Sequence, residues 1–305
     1  MHKIVTTVLA AVVAAQAHAA TPTFATIDNP ADPTFNQLLG INDVGGISGY
    51  FGSGMAGHPN QGYTIAPPYT TFKADNLPGS VQTQATGITK GGATSGFWAP
   101  TNTGMDANYG FIRWTHHGKF TFLSVNDPLV SSTPPVNQVL GINSSSIAVG
   151  FYNDANSAPH GFAYTVSTGR FKAVDVPGSV SDAATGINNN DLVCGFYSTA
   201  GGRTLGFLKS LNGGSAIHFQ VPGSTTTQFL GVNDSGVAVG FYTGSDTFMH
   251  GVIYNPANGS WSPVNDPSGV QGTVLNGIND KGQVVGFYTD AAGNVHGMLV
   301  TGAVP

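Results

Sequence analysis

Gly141-Ile142-Asn143-Ser144-Ser145-Ser146-Ile147-Ala148-Val149-Gly150-Phe151-Tyr152 is two short apolar segments hinged on three serines, with a glycine inside each segment. The same phrase occurs six times. Its first glycines are Gly40, Gly87, Gly141, Gly186, Gly231 and Gly277, and its second glycines are Gly49, Gly96, Gly150, Gly195, Gly240 and Gly286. The offset within a copy is always nine, and successive copies are 45 to 54 residues apart. A spacing of that size marks one supersecondary unit per copy.

Each unit reads as four short strands, A to D. In the third copy they are Asn137 to Asn143, Ile147 to Tyr152, His160 to Thr165 and Phe171 to Val176. β-Branched and aromatic residues fill them, and Gly, Asn, Asp and Pro punctuate them. The A–B turns Asn42-Asp43-Val44-Gly45, Asn233-Asp234-Ser235-Gly236 and Asn279-Asp280-Lys281-Gly282 supply residues that tolerate the positive φ of tight hairpins. Pro78-Gly79, Pro177-Gly178 and Pro222-Gly223 end strand D, because proline cannot donate to a ladder. Glycine inside a strand costs stability, so its recurrence predicts close approach of sheets around an axis. Four strands per unit and six units predict an all-β, six-bladed β-propeller of four-stranded antiparallel blades.

The ends fit that ring. Thr23 to Pro30 reads as a D strand with nothing before it, and His296 to Val300 as a C strand with no D after it. The N-terminal strand is expected to complete the last blade and close the circle, which removes an open edge.

Composition sets the class. Only 8% of the 305 residues are charged, against about 25% in ordinary proteins. Forty-three glycines and 18 prolines suit a turn-rich β-protein. A net charge of −5 with ten Lys and Arg gives no basic footprint for nucleic acid. One cysteine, Cys194, excludes an internal disulfide framework. Met1-His2-Lys3, the apolar run Ile4 to Ala15 and Ala17-His18-Ala19 read as a secretory signal peptide cleaved after Ala19. Twelve apolar residues fall short of the roughly 20 that span a bilayer. The expectation is an exported, soluble monomer made of a signal peptide (1–19) and one propeller domain (20–305).

Gly-Ile-Asn, then Val-Gly-Phe-Tyr, then His160-Gly161-Phe162 or His250-Gly251-Val252, then Asp-x-Pro-Gly, resembles the bacterial extracellular HAF-family repeats. The resemblance covers residues 23 to 300 and implies secretion and a repeat fold, with no shared chemistry. Gln61, Tyr109 and Leu205 stand where the histidine would be in copies one, two and four.

In such a ring the B–C and D–A loops share one face, and the long B–C loops are those around His58-Pro59 and Ala99 to Asn108. Loops held on a rigid scaffold are where function concentrates. Gln37, Gln84, Gln138 and Gln228 each lie three residues before a first glycine, at the loop-bearing end of strand A, and are the candidate ligand-binding residues. A partial ring of amides there suits a polar ligand such as a glycan; Ala183 and Val274 interrupt it. His160, His250 and His296 start the third strand of different blades, roughly 10 Å outside the innermost one, which predicts packing and not a shared metal. Tyr50, Trp98, Tyr152, Tyr197, Tyr242 and Tyr288 read as core or inter-blade packing, Asp28, Asp75, Asp127, Asp175 and Asp266 as turn residues, Cys194 as a buried thiol, and His116-His117 as a solvated C–D turn. No nucleophile elbow, phosphate loop or His-Glu-x-x-His motif occurs. No cofactor is expected. The function read from the sequence is a binding module for a glycan or cell-surface ligand. The alternative is a secreted polysaccharide lyase or hydrolase with its site at the axis.

Overall fold

The computed structural model describes residues 21–116 and 119–304. The expected signal segment 1–19 and His117 lie outside the described residues. A short strand, β1 (Thr23–Thr26), precedes the first blade, which is β2 (Asn36–Ile41), β3 (Ile47–Phe51), β4 (Gln61–Ile65) and β5 (Lys73–Ala74). Blade two is β6 (Gln82–Ile88), β7 (Thr94–Ala99), β8 (Tyr109–His116) and β9 (Lys119–Ser124). Blade three is β10 (Asn137–Ile142), β11 (Ile147–Asn153), β12 (Pro159–Thr165) and β13 (Arg170–Ala173). Blade four is β14 (Ser181–Ile187), β15 (Leu192–Ser198), β16 (Thr204–Ser210) and β17 (Ile217–Phe219), and blade five is β18 (Thr227–Val232), β19 (Ala238–Thr243), β20 (Met249–Asn255) and β21 (Ser260–Pro263). Blade six takes β22 (Gly272–Ile278), β23 (Val284–Thr289) and β24 (Val295–Thr301) from the end of the chain and β1 from its beginning. The ring is a six-bladed propeller of four-stranded antiparallel sheets, closed as the sequence implies. No helix long and apolar enough to cross a membrane occurs among the described residues.

The paired glycines have two separate reasons to be glycine. The first six stand in a closed collar around the axis. A methyl group on any one would lie 3.0–3.2 Å from the Cα of the next, from Gly40 against Gly87 round to Gly277 against Gly40. The second six face a β-bulge. In every blade the A–B register slips just before the first glycine, which leaves Leu39, Thr86, Leu140, Thr185, Leu230 and Asn276 unpaired. The bulge presses a strand-A carbonyl onto the second glycine, so a methyl group at Gly240 would collide with the Gln228 carbonyl oxygen. That obstacle is backbone and cannot swing away. Gly240→Ala is therefore expected to cost about 3 kcal/mol in urea unfolding, the upper range for overpacking. Gly91→Ala, whose new methyl would meet only Thr89 Oγ1 at 3.9 Å, should stay within about 0.5 kcal/mol of wild type.

The unpaired bulge residues alternate. Leu39, Leu140 and Leu230 belong to odd blades. On even blades Thr86 Oγ1 donates to Val139 O (2.8 Å), Thr185 Oγ1 to Phe229 O (2.8 Å) and Asn276 Nδ2 to Leu38 O (2.9 Å), each in the next blade. Below the collar the asparagines of the repeated phrase form another belt, in which Asn143 donates to Asn188 O, Asn188 to Asn233 O and Asn279 to Asn42 O. The apolar core lies between blades. Val149, Ala163 and Val174 of blade three pack on Ala184, Val193 and Phe207 of blade four. Such layers bury each sheet on both faces, which an isolated blade could not do.

Two of the predicted turn acids have other roles, the first being Asp28, whose carboxylate meets His296 and the Gly297 amide across the closing strand. Asp127 and Asp266 accept backbone amides from Leu129 and Ser268 as turn residues do. Asp75, by contrast, occupies the buried place filled by Val125, Val174 and Val264, whose amides likewise bond the C-strand glycine. Its side chain meets Arg113 of blade two at 2.7 Å, and both side chains are almost completely buried. Arg113 Nε also donates to Thr94 Oγ1 at 3.1 Å, and Thr94 is a further neighbour of the Asp75 carboxyl. Burial pushes the Asp75 carboxyl up, against the pull of Arg113, and pushes the Arg113 guanidinium down.

Candidate functional site

Strand A brings its first residues to the loop-bearing mouth of the axis. Gln37, Gln84 and Gln138 line a cup there of about 180 Å³, together with Phe97 and the bulge residues Leu39, Thr86 and Leu140. Gln228 does not line it. On the side of blades one to three the cup runs into a larger cleft of about 780 Å³, which shares Gln84, Phe97 and Gln138 with it. Its far walls are the two long B–C loops. Those loops are tied together by Asn102 Nδ2, which donates to Met55 O at 3.0 Å, and are stiffened by Asp106, which accepts from Thr101 and Thr103. Despite some burial, these hydrogen bonds hold the Asp106 carboxyl below the usual range, so it stays ionised and committed to its loop.

The glutamines are held by residues the sequence reading passed over. Gln84 Nε2 donates to Asn60 Oδ1 and Gln138 Nε2 to Asn108 Oδ1, both at 2.8 Å. Asn60 and Asn108 each precede strand C, where the other blades have Pro159, Thr204, Met249 and Val295. Asn60 Nδ2 donates to Gly52 O at 2.6 Å, which fixes Asn60 Oδ1 as the acceptor toward Gln84. Asn108 Nδ2 similarly faces Asp106 O. Networks of this kind decide amide orientation. The Gln84 and Gln138 amide nitrogens thus each give one of their two hydrogens to an asparagine, and the carbonyl oxygens have no donor among the described residues.

Gln37 is held differently, by Tyr50 Oη donating to its Oε1 at 2.9 Å. Tyr50 is not the counterpart of the other B-strand aromatics. Blade one reads Gly-Tyr-Phe where the others read Gly-Phe-aromatic, and Tyr50 pairs with Gln37 as Phe151 pairs with Gln138. Phe51 is the true equivalent of Tyr152. Deep burial pushes the Tyr50 hydroxyl well above its ordinary value, so it remains a donor.

The repeated histidines pack as predicted. His160, His250 and His296 stack on Tyr152, Tyr242 and Tyr288 at centroid distances of 5.1–5.4 Å. Each also meets an aspartate of its own B–C loop: Asp154, Asp246 and Asp290. No tyrosine–histidine hydrogen bond joins the stacked rings among the described residues. Cys194 is fully buried, and its thiol is pushed up to about 12 by burial. No group of three or more His, Cys, Asp or Glu able to hold a metal occurs among the described residues.

His296 also joins the closing strand, with Nδ1 2.7 Å from Asp28 and Nε2 3.3 Å from Asp290. Burial opposes its protonation, but the two carboxylates outweigh that and raise it above 6.5. Asp290 feels slight desolvation upward, yet bonds from Asn294 and His296 bring it down to about 2. The histidine's contribution is complete below pH 6.5 and fades as pH rises through its higher folded value. That of Asp290 is complete above pH 3.8 and fades toward pH 2. The seam should hold best between those limits. His296→Gln is expected to flatten the fall in Tm from pH 6 to pH 8, measured by differential scanning fluorimetry; an unchanged slope would locate the titration elsewhere.

No family model and no curated protein matches the chain. Solved structures do match it along most of its length. AofleA from Arthrobotrys oligospora superposes with a TM-score of 0.57 at 10% identity, over 92% of this chain and 86% of the other. TolB from Acinetobacter baumannii gives 0.54 at 11% identity, over 89% and 65%. A streptogramin B lyase gives 0.50 at 9% identity, over 92% and 97%. At such identities the likeness is one of fold: the chain shares the propeller architecture of these proteins, and its activity has to be argued from its own residues.

Proposed function

We propose that the protein is an exported propeller-type binding module of the HAF-repeat kind, acting as a monomer, that takes a neutral glycan or glycan-bearing surface ligand at its loop-bearing face. Residues 1–19 act as the leader and 20–305 as the single domain. The carrying observation is the floor shared by cup and cleft, where Gln84 and Gln138, whose carbonyl oxygens have no donor among the described residues, stand beside Phe97. Acceptors beside an aromatic ring suit hydroxyls on a ring with an apolar face. The cleft lining contains no His, Lys, Arg, Tyr or Cys, and its one carboxylate, Asp106, is occupied in its loop. That composition favours binding over proton transfer.

A glycan array on the mature protein, followed by calorimetry on any hit, tests the reading. Gln84→Ala and Gln138→Ala should each weaken binding about 5- to 30-fold, the cost of roughly 1–2 kcal/mol for a lost hydrogen bond. Binding unchanged by both substitutions would remove the cleft from consideration. Release of shortened products on incubation would replace the binding reading by the lyase or hydrolase one.

A further inference from the structure

A second cavity, of about 450 Å³, lies at the ring's seam, between the turn after β1 and the outer half of blade one. Phe51, Tyr63 and Phe72 form its wall. Tyr63 and Phe72 meet edge to face at 4.9 Å, and Phe51 lies nearly parallel to Tyr63 at 6.5 Å. The rim carries Asn29, Thr70 and Thr71. Gln61 and Asn76 also line it, but they bond to each other at 2.9 Å and to neighbouring backbone, so they stiffen the wall.

The departures of blade one from the repeat gather at this cavity. Phe51 stands where other blades have Tyr or Trp, and Gln61 where three have His; the stacked tyrosine–histidine pair is therefore missing here. The D strand is cut to two residues, β5, behind the Ala66 to Phe72 turn, so less of blade one's outer edge is covered. Tyr63 takes the place of Phe111, Phe162, Phe207, Val252 and Met298, each the partner of a second glycine. It alone of the six carries a polar atom. Tyr63 is 1% exposed, and its hydroxyl has no hydrogen-bond partner among the described residues. A buried hydroxyl without a partner is costly, and drift back to phenylalanine would remove that cost.

We infer that the seam cavity is a second ligand site, taking one uncharged pyranose ring. Its apolar face would lie on the partly buried rings of Phe51 and Phe72, which Tyr63 backs from the core, and its hydroxyls would reach the exposed Thr70 and Thr71. No Asp, Glu, Lys, Arg or His lines the cavity, which disfavours charged ligands. Its volume falls within the range of small-ligand sites. The choice of a sugar rests on the glycan reading above; the site itself does not, since it shares no residue with the axial cleft.

Saturation-transfer NMR with the methyl pyranosides of glucose, galactose and mannose tests it on the mature protein. The expected result is a signal from at least one probe that survives Gln84→Ala/Gln138→Ala and falls at least fivefold in Thr71→Trp, which plugs the cavity from its exposed rim without touching the core. Phe72→Ala should act in the same direction if it folds. A signal insensitive to Thr71→Trp, or none from any probe with wild type, would overturn the seam site. Loss of signal only in the glutamine variants would overturn it while supporting the axial cleft. Tyr63→Phe should raise Tm, and a lower Tm would mean that the hydroxyl has a partner within the fold.

Discussion

A chain beginning at Ala31 is expected to melt far below one beginning at Thr21, or not to fold at all. Removal of residues 21–30 takes away β1, which pairs with β24 from Thr23↔Thr301 to Thr26↔Met298. It also takes away Ile27, a 7%-exposed member of the core between blades six and one, and the Asp28 contacts with His296 and the Gly297 amide. Burial of Ile27 contributes about 2 kcal/mol, and each lost hydrogen bond about 1. The sum is on the order of 5 kcal/mol or more, much of a typical domain's net stability. The remaining β24 would be an unpaired edge open to aggregation. Thermal melts of the two chains measure the difference, and a synthetic peptide of residues 21–30 added in trans should restore part of it. Equal melting temperatures would show that the seam contributes nothing to closure.

Arg113→Met alone is expected to cost about 3–5 kcal/mol, because it leaves the Asp75 carboxylate buried without its counter-charge. The double variant Asp75→Val/Arg113→Met should recover most of that loss and equal or exceed wild type, since valine is what blades two, three and five carry at the position and a buried ion pair often stabilises no more than an apolar pair. Urea unfolding of the single and double variants gives the coupling directly. A double variant as unstable as the single one would mean that the pair is required for how blades one and two fit together.

The ring was legible because its causes repeat. Gly141 and Gly150 are glycine for reasons of close approach, those reasons recur in each blade, and six copies of one constraint are readable without coordinates. The bulge was not legible: Leu39 and Leu140 look like ordinary strand residues, and only the register shows them unpaired. Two misreadings came from matching residue type in place of register. Tyr50 follows its glycine by one residue where Tyr152 follows by two, and Asp75 precedes Pro78 by three where Asp175 precedes Pro177 by two. The candidate site was half legible. Three of the four glutamines converge at the mouth of the axis, but the asparagines that orient two of them, Asn60 and Asn108, lie 24 and 30 residues earlier in the preceding blade. Proximity between blades leaves no trace in a local pattern. The seam cavity joins Asn29 and Pro30, from the turn after β1, to blade-one residues between Phe51 and Asn76, and it depends on what blade one lacks.

The glycine collar has a geometric consequence. Its members touch neighbour to neighbour, so the perimeter is fixed by backbone contact. In a regular hexagon the centre is as far from each vertex as the vertices are from one another, and the space left along this axis is correspondingly small, about 80 Å³ at the collar. The same contact distance in a heptagon would open a wider hole, and in a pentagon it would squeeze the centre shut. Blade number and axial width are therefore linked: glycine sets the contact distance between neighbouring inner strands, and six such contacts leave the narrow axis seen here.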